Sequence, residues 1–383
     1  MTGLSAKIAQ AKVAAQAAGL LRARVQLTQT ASSPNQFSCE AQHYLNFSSN
    51  DYLGLSVSPQ LIDALVEGAR RYGVGSGASP LVTGYGDAHA ELESSLCKAT
   101  GHEAALLFCS GFSANSALMK TLFGTGDSVV ADKLIHASLI DGLRESGATL
   151  RRFSHNDLLA AQRLIKAHQP LALVTESVFS MDGDVAPLSQ LYKTCTQQGS
   201  WLIVDDAHGF GVLSAQQQAN AHNCDIQVVT FGKALGGQGA AILGSRACID
   251  FLVANARDYI YSTALSPSAA YAVNCAVSLA IETGELQQKL TDNIAYFKAL
   301  CLQSGVAITD SNTPIQPIII GKLESLQRVF EYLKQAGIWV GAIRPPTVPK
   351  GSARLRITLN VNHSHSQIDM LVSCLASALS SER

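Results

Sequence analysis

Apolar positions fall along this chain in three textures. Over residues 4–24 they are sparse, with Ile8, Val13, Leu20 and Leu21 on or near one face. That spacing predicts an amphipathic helix, with Arg22 and Arg24 at its end. Residues 44–55 read as a short strand running into a turn, and Pro59 opens a helix to about Arg71. A glycine-rich loop over 73–80 separates it from a helix over 88–98.

From residue 104 the texture changes. Short apolar runs at 104–109, 128–131, 149–153, 171–175, 201–205, 226–231 and 240–244 alternate with helical stretches, one of them reaching about Leu122. Runs this short that are apolar on both faces predict strands buried on both sides, hence an α/β domain with a mainly parallel sheet. Ligands in such sheets sit at the carboxyl ends of the strands.

The third texture begins at Pro267, with a long helical region to about Leu302. Strands over 315–320, 339–342 and 354–359 then mix with helices over 325–336 and 366–379, which predicts a smaller α+β domain. The expected division is a helix and arm over 1–45, a large domain over 46–275 and a small domain over 276–383, with the arm packed on the small domain.

Composition narrows the function. The chain has 383 residues, 47% apolar and 15% charged, with a net charge of -1 and no basic or acidic block. This argues against a nucleic-acid or membrane-surface partner. Nine cysteines are scattered singly without a Cys-x-x-Cys pair, which fits a reducing cytoplasm and offers no zinc or disulfide framework. No apolar run reaches the length of a membrane span, and the alanine-rich start is interrupted by Lys7, Gln10, Lys12 and Gln16. The expectation is a soluble, cytoplasmic protein without a metal.

The candidate chemistry centres on Lys233, in the stretch Thr230-Phe231-Gly232-Lys233-Ala234-Leu235-Gly236-Gly237. A lysine in a partly desolvated loop beside other positive charge loses proton affinity and can form a Schiff base with an aldehyde. The plain alternative is a solvated loop lysine; a phosphate-binding Gly-x-x-x-x-Gly-Lys-Ser/Thr pattern is absent. Upstream, the run Trp201-Leu202-Ile203-Val204 ends in Asp205-Asp206-Ala207-His208. A carboxylate at the end of a buried strand needs a cationic partner, and a pyridinium nitrogen is one. His208 then suits a phenolic oxygen on the same ring. A metal site or a structural cap are the alternatives for this cluster.

Gly111 and Phe112 open a helix just after a strand, where backbone N–H groups and the helix dipole make a phosphate cradle or an ordinary helix start. Thr230, Ser262 and Thr263 are further phosphate donors. His136 could stack on a heteroaromatic ring or cap a helix. His363 and His365 read as solvated surface.

The ordered set Ser110-Gly111-Phe112, His136-Ala137-Ser138, Asp205-Asp206-Ala207-His208-Gly209 and Thr230-Phe231-Gly232-Lys233 closely resembles the α-oxoamine synthases, fold type I transferases that use pyridoxal 5'-phosphate. The likeness runs from Leu45-Asn46-Phe47-Ser48-Ser49-Asn50-Asp51-Tyr52-Leu53-Gly54 to the last strand, and includes Thr175-Glu176-Ser177-Val178-Phe179-Ser180-Met181-Asp182-Gly183-Asp184. The resemblance implies that Lys233 holds the cofactor as a Schiff base, Asp205 pairs with its ring nitrogen, His208 with its phenolic oxygen, and His136 stacks on its face. It implies Gly111, Phe112, Ser180 and Thr230 around the phosphate, with Ser262 and Thr263 supplied by the second subunit of a homodimer whose sites lie at the interface. It further implies that Arg356 takes an amino-acid carboxylate, and that Arg22, Thr347 and Arg344 lie on the acyl side.

Within the family, the stretch Ala342-Ile343-Arg344-Pro345-Pro346-Thr347-Val348-Pro349 is similar to the branch that joins L-alanine to a pimeloyl thioester of coenzyme A or an acyl carrier protein. The alternatives are a relative joining glycine to an acyl-CoA, and a non-catalytic partner subunit, which would be expected to lack Lys233. Many relatives carry Gly-Ser-Gly-Gly-Ser-Arg where this chain has Gly75-Ser76-Gly77-Ala78-Ser79-Pro80, and a tyrosine at Phe112.

Overall fold

In the computed structural model, which describes residues 3–17, 20–29, 31–214, 216–281 and 284–382, the apolar runs of the middle of the chain become one sheet. The first three strands, β1 (Thr28–Gln29), β2 (Gln36–Cys39) and β3 (Gln42–Asn46), belong to a separate arm. The central strands follow as β4 (Ala104–Phe108), β5 (Ser128–Asp132), β6 (Thr149–Phe153), β7 (Ala172–Glu176), β8 (Trp201–Asp205), β9 (Ile226–Thr230) and β10 (Ala240–Gly244). Their order is β4-β10-β9-β8-β7-β5-β6. The pairs from β6 to β9 are parallel, while β10 runs antiparallel to both β9 and β4.

Full burial of β4, β7 and β10 explains why these strands read as unbroken apolar runs rather than alternating ones. One layer over the sheet packs Leu118, Met119, Leu139 and Leu252. Another part of the sheet packs Ile165, Leu191 and Cys195 against Leu173 and Leu202.

The C-terminal part carries β11 (Ile315–Gly321), β12 (Ile338–Trp339), β13 (Gly341–Ile343) and β14 (Ala353–Thr358). β11, β14 and β13 form an antiparallel sheet covered by the helix Leu323–Gln335. β12 leaves it and pairs in parallel with β3, so the arm and the C-terminal part share the sheet β1-β2-β3-β12. Among the described residues no helix is long and apolar enough to cross a membrane.

Three sequence expectations need correction. The first helix is Leu4–Ala17 and does not extend to residue 24; Leu20 to Leu27 are exposed and non-helical. It buries no residue, because Ile8 and Val13 are five positions apart, about 140° around a helix. The helical region expected from Pro267 to about Leu302 is present as two helices, Pro267–Ile281 and Glu285–Gln303, the second preceded by Gly284 at φ 66. The strand expected over 339–342 is split between two sheets. His363 is buried, not solvated: its ring stacks on Phe47 at 4.1 Å and Nε2 lies 3.0 Å from the Asn46 carbonyl.

Candidate active site

The ends of β4, β7, β8 and β9, with the segment after β5, open on one cavity of about 410 Å³. Gly111, His136, Glu176, Asp205, His208 and Lys233 all line it. They come from separate elements, and parallel strand order alone brings them to one edge of the sheet.

Lys233 sits in the turn between β9 and β10. The turn is held by the Gly236 N–H donating to the Lys233 carbonyl at 3.0 Å. Gly236 has φ +63, and a Cβ there would stand 2.2 Å from the Ser56 nitrogen, so only glycine lets this loop pass so close. The Lys233 Nζ lies 2.8 Å from Nε2 of His208. Burial, the largest cause, pushes the amine down to about 8; Asp205 pulls it up, and Arg356 pushes it down again. A useful fraction is therefore free amine near neutral pH.

His208 is held well below its ordinary value, first by burial and then by the charges of Lys233, Arg356 and His136. It is a neutral ring. Its Nδ1 lies 2.6 Å from the Tyr52 hydroxyl.

Asp205 ends β8 and is buried. Asn115 Nδ2 donates to its Oδ2 at 2.7 Å and the Ala207 N–H to its Oδ1 at 3.0 Å. Asn115 Nδ2 also donates to Ser138 Oγ at 3.0 Å, and that hydroxyl lies 2.7 Å from Nδ1 of His136. One asparagine thus orients both the carboxylate on the cavity floor and the holder of the imidazole on its wall. Glu176, opposite Asp205 in the β7–β8 register, is driven well above the carboxylate range by burial and by the charge of Asp205, with Lys233 opposing. Glu176 is the member of that pair that carries the proton.

The helix Gly111–Leu122 points its start at the cavity, capped by Ser110 Oγ accepting from the Ser113 N–H at 3.2 Å. A Cβ on Gly111 would stand 2.5 Å from Cγ2 of Thr230, so glycine leaves room for a ligand against the backbone N–H groups.

Arg356 lies on β14, one shell behind the cavity. Its Nε donates to the Ser180 carbonyl at 2.6 Å, and Nη1 and Nη2 both donate to Oδ1 of Asn50 at 3.1 Å. Asn50 itself lines the cavity.

Of the residues singled out from sequence, Lys233, Asp205, His208, His136, Gly111, Phe112 and Thr230 meet at the cavity. Ser180 does not line it; its carbonyl accepts from Arg356, which reaches the cavity lining through Asn50. Ser262 and Thr263 are exposed and line a neighbouring cavity of about 210 Å³ with Ser110 and Ser113. Arg22 and Thr347 are exposed and line neither cavity, and Arg344 donates to Gln327 Oε1. Sequence reasoning missed Asn50, Tyr52, Asn115 and Glu176. Asn50, Tyr52 and Glu176 lie inside stretches that carried the family likeness and Asn115 lies three residues beyond one, but nothing local distinguished them.

Pyridoxal 5'-phosphate fits this donor set. The cavity offers a reactive amine, a buried carboxylate held by neutral donors, a neutral imidazole and a helix start for a phosphate. The buried Oδ1 of Asn115 has no partner among the described residues, and it belongs to a residue on the cavity wall. Among the described residues no group of three or more His, Cys, Asp and Glu could hold a metal ion.

The family model for class I and II aminotransferases matches residues 42–375. An 8-amino-7-oxononanoate synthase from Vibrio campbellii is 46% identical over 349 residues, 89% of this chain and 90% of the relative. A crystal structure of 8-amino-7-oxononanoate synthase from Francisella tularensis is 33% identical with a TM-score of 0.78, covering 88% of this chain and 98% of that one. A serine palmitoyltransferase variant from S. paucimobilis, solved with bound PLP-myriocin aldimine, superposes with a TM-score of 0.89 at 23% identity, covering 99% of each chain.

Proposed function

Because the chain belongs to the class I and II aminotransferase family, and within it to the 8-amino-7-oxononanoate synthases, we propose that its cavity joins L-alanine to a pimeloyl thioester with loss of carbon dioxide. The enzyme is a pyridoxal-phosphate-dependent acyltransferase of biotin biosynthesis. The observation that carries the reading is the Lys233 amine, pushed down to about 8 by burial and set 2.8 Å from a neutral histidine at the cavity wall.

In this reading Lys233 holds the cofactor covalently, Asp205 keeps its ring nitrogen protonated, and His208 bonds its phenolic oxygen. His136 covers its face. Gly111, Phe112 and Thr230 receive its phosphate. When bound, the pyridinium ring supplies an electron sink for charge that develops at the neighbouring carbon. The chain does the rest. Arg356 and Asn50 orient the amino-acid carboxylate through planar, paired donors. Lys233 Nζ, once released, takes the α-proton and later returns it. Glu176, kept neutral, adds no second negative charge beside Asp205.

The acyl side is assigned to Arg22 and Thr347, with Arg344 as helper. Because these are exposed on a single chain, the proposal includes a homodimer in which the partner completes that wall and lends the equivalents of Ser262 and Thr263. The exposure of the Tyr261–Thr263 stretch, with Tyr261 at 71%, supports this. The nine unpaired cysteines support a cytoplasmic setting.

Two measurements test the reading. Borohydride reduction, digestion and mass spectrometry should find the cofactor on the peptide containing Lys233; an adduct elsewhere defeats the assignment. Thiol release should be fastest with L-alanine and pimeloyl thioester. Faster release with glycine and a short acyl-CoA would move the chain to another branch of the family.

A further inference from the structure

A line of hydrogen bonds runs from Lys233 through His208 and Tyr52 to Asn50 and Arg356, and Tyr52 is the member to which the chemistry above gives no role. Lys233 Nζ lies 2.8 Å from His208 Nε2, and His208 Nδ1 lies 2.6 Å from the Tyr52 hydroxyl. The same hydroxyl lies 3.3 Å from Asn50 Oδ1, which also receives both terminal nitrogens of Arg356. Tyr52 is 0% exposed, so bulk solvent does not reach its hydroxyl.

The proton count on this line is fixed. His208 is neutral and has one N–H to place. Burial drives the Tyr52 phenol up to about 12, against the opposing effect of Arg356, so it has one O–H to aim. With Lys233 as ammonium, Nζ donates to Nε2, so the histidine proton sits on Nδ1 and points at the tyrosine oxygen. The phenol then aims its own hydrogen at Asn50 Oδ1. With Lys233 as free amine, Nε2–H donates to Nζ, Nδ1 becomes an acceptor, and the phenol turns to it. One proton leaves the trio between these arrangements, and it is the lysine's. The titratable and charged groups that face the pair are Asp205, Glu176, Asp206 and Arg356 around Lys233, and Arg356 and His136 around His208.

We propose that Tyr52 is the positioning residue that sets which ring nitrogen of His208 carries the proton, in step with the charge on Lys233, and so couples that lysine to Asn50 and Arg356. The inference rests on the reading that Lys233 is the reactive amine. Its consequence is directional. An Nε2–H faces the cavity and can donate to a ligand oxygen only once Lys233 has lost its proton. Turning the phenol to His208 also frees Asn50 Oδ1 from one donor, on the side where Arg356 is held.

The test reads the histidine directly. The full-length protein, labelled with ¹⁵N in histidine and studied without added cofactor, is titrated across the lysine transition near about 8. The His208 signals are identified by their loss in His208→Gln. The expected result is a proton on Nδ1 below the transition and on Nε2 above it. In Tyr52→Phe, which keeps the ring but removes donor and acceptor, the proton should stay on Nε2 throughout, because an unpaired buried N–H at Nδ1 is the costlier choice. The lysine transition should then move to lower pH, having lost its acceptor. A single tautomer in the unmodified protein at every pH overturns the proposal, whether or not the phenylalanine variant folds. So does a switch in Tyr52→Phe matching that of the parent. A borohydride adduct away from Lys233 would defeat the cofactor assignment while leaving the tautomer result intact, so the two failures are distinguishable.

Discussion

Asn115 Nδ2 stands 2.7 Å from Oδ2 of Asp205, although the two residues are 90 positions apart in the chain. The bond fixes how the carboxylate faces the cavity. Replacing Asp205 by Asn should leave the cofactor bound but slow turnover by at least about 100-fold, since an amide cannot hold a ring nitrogen in its charged form. Asn115→Leu keeps the carboxylate and loses only its orientation, so the rate should fall by roughly 2- to 10-fold. Single-turnover kinetics on the two variants checks the ranking; an Asn115 variant as slow as the Asp205 variant would mean that the asparagine touches the reaction itself.

The close approach of Gly111 to Thr230 makes a second prediction. Gly111→Ala puts a methyl group against a branched side chain that has little freedom to move. Cofactor retention, measured by dialysis and absorbance, should fall by about 10-fold or more. Thr230→Ser removes the obstructing Cγ2 and should restore most of the loss in the double variant. Failure of that rescue would place the cost in the backbone instead of the cradle.

Arg356→Lys is a third case. The guanidinium uses Nε for Ser180 and both terminal nitrogens for Asn50. A single ammonium cannot reproduce this. Loss of charged hydrogen bonds worth roughly 1.5–3 kcal/mol should lower kcat/KM for the amino acid by about 10- to 100-fold. The loss should appear mainly in its KM, with the thioester KM little changed. Initial-rate measurements with each substrate varied separately decide this.

His155 offers a test of stability against pH. Its Nδ1 lies 3.0 Å from Asp132 Oδ1 and its Nε2 2.7 Å from Asp184 Oδ2. Burial alone would lower its pKa, but the two carboxylates outweigh it and push the ring from 6.5 up to about 10. A group with a raised folded value stabilises fully below its unfolded value and loses that contribution as pH rises through the folded one. The window therefore runs from 6.5 to about 10. His155→Gln should cost roughly 1–3 kcal/mol at the acid end of it and progressively less toward the alkaline end. Denaturant melts of parent and variant at several pH values give the difference directly, and a constant gap across the window would contradict the charged assignment.

Much of the site was readable because its chemistry sits in strand-end motifs. Asp205 and His208 follow an apolar run, Lys233 follows another, and the parallel sheet delivers both to one edge. The supporting residues were hidden by distance along the chain: Tyr52 meets His208 across 156 positions, and no local pattern announces it. Arg22 and Thr347 were legible as residue types, yet one chain does not bring them to the cavity. His363 was misread because alternate histidines before a helix look solvated, whereas the Phe47 ring and the Asn46 carbonyl bury the first of them. The run over 339–342 looked like one strand because nothing in its apolar pattern marks where it changes sheets.

The β3–β12 pairing has a consequence for how the protein is made. Leu45 pairs with Ile338, so the arm emerges from the ribosome long before its neighbour exists. At roughly 5–20 residues per second, that edge waits unpaired for tens of seconds. During that interval the nascent arm is open to proteases and to chaperones, and a message truncated shortly before the codon for Ile338 would yield a chain whose arm never finds its place.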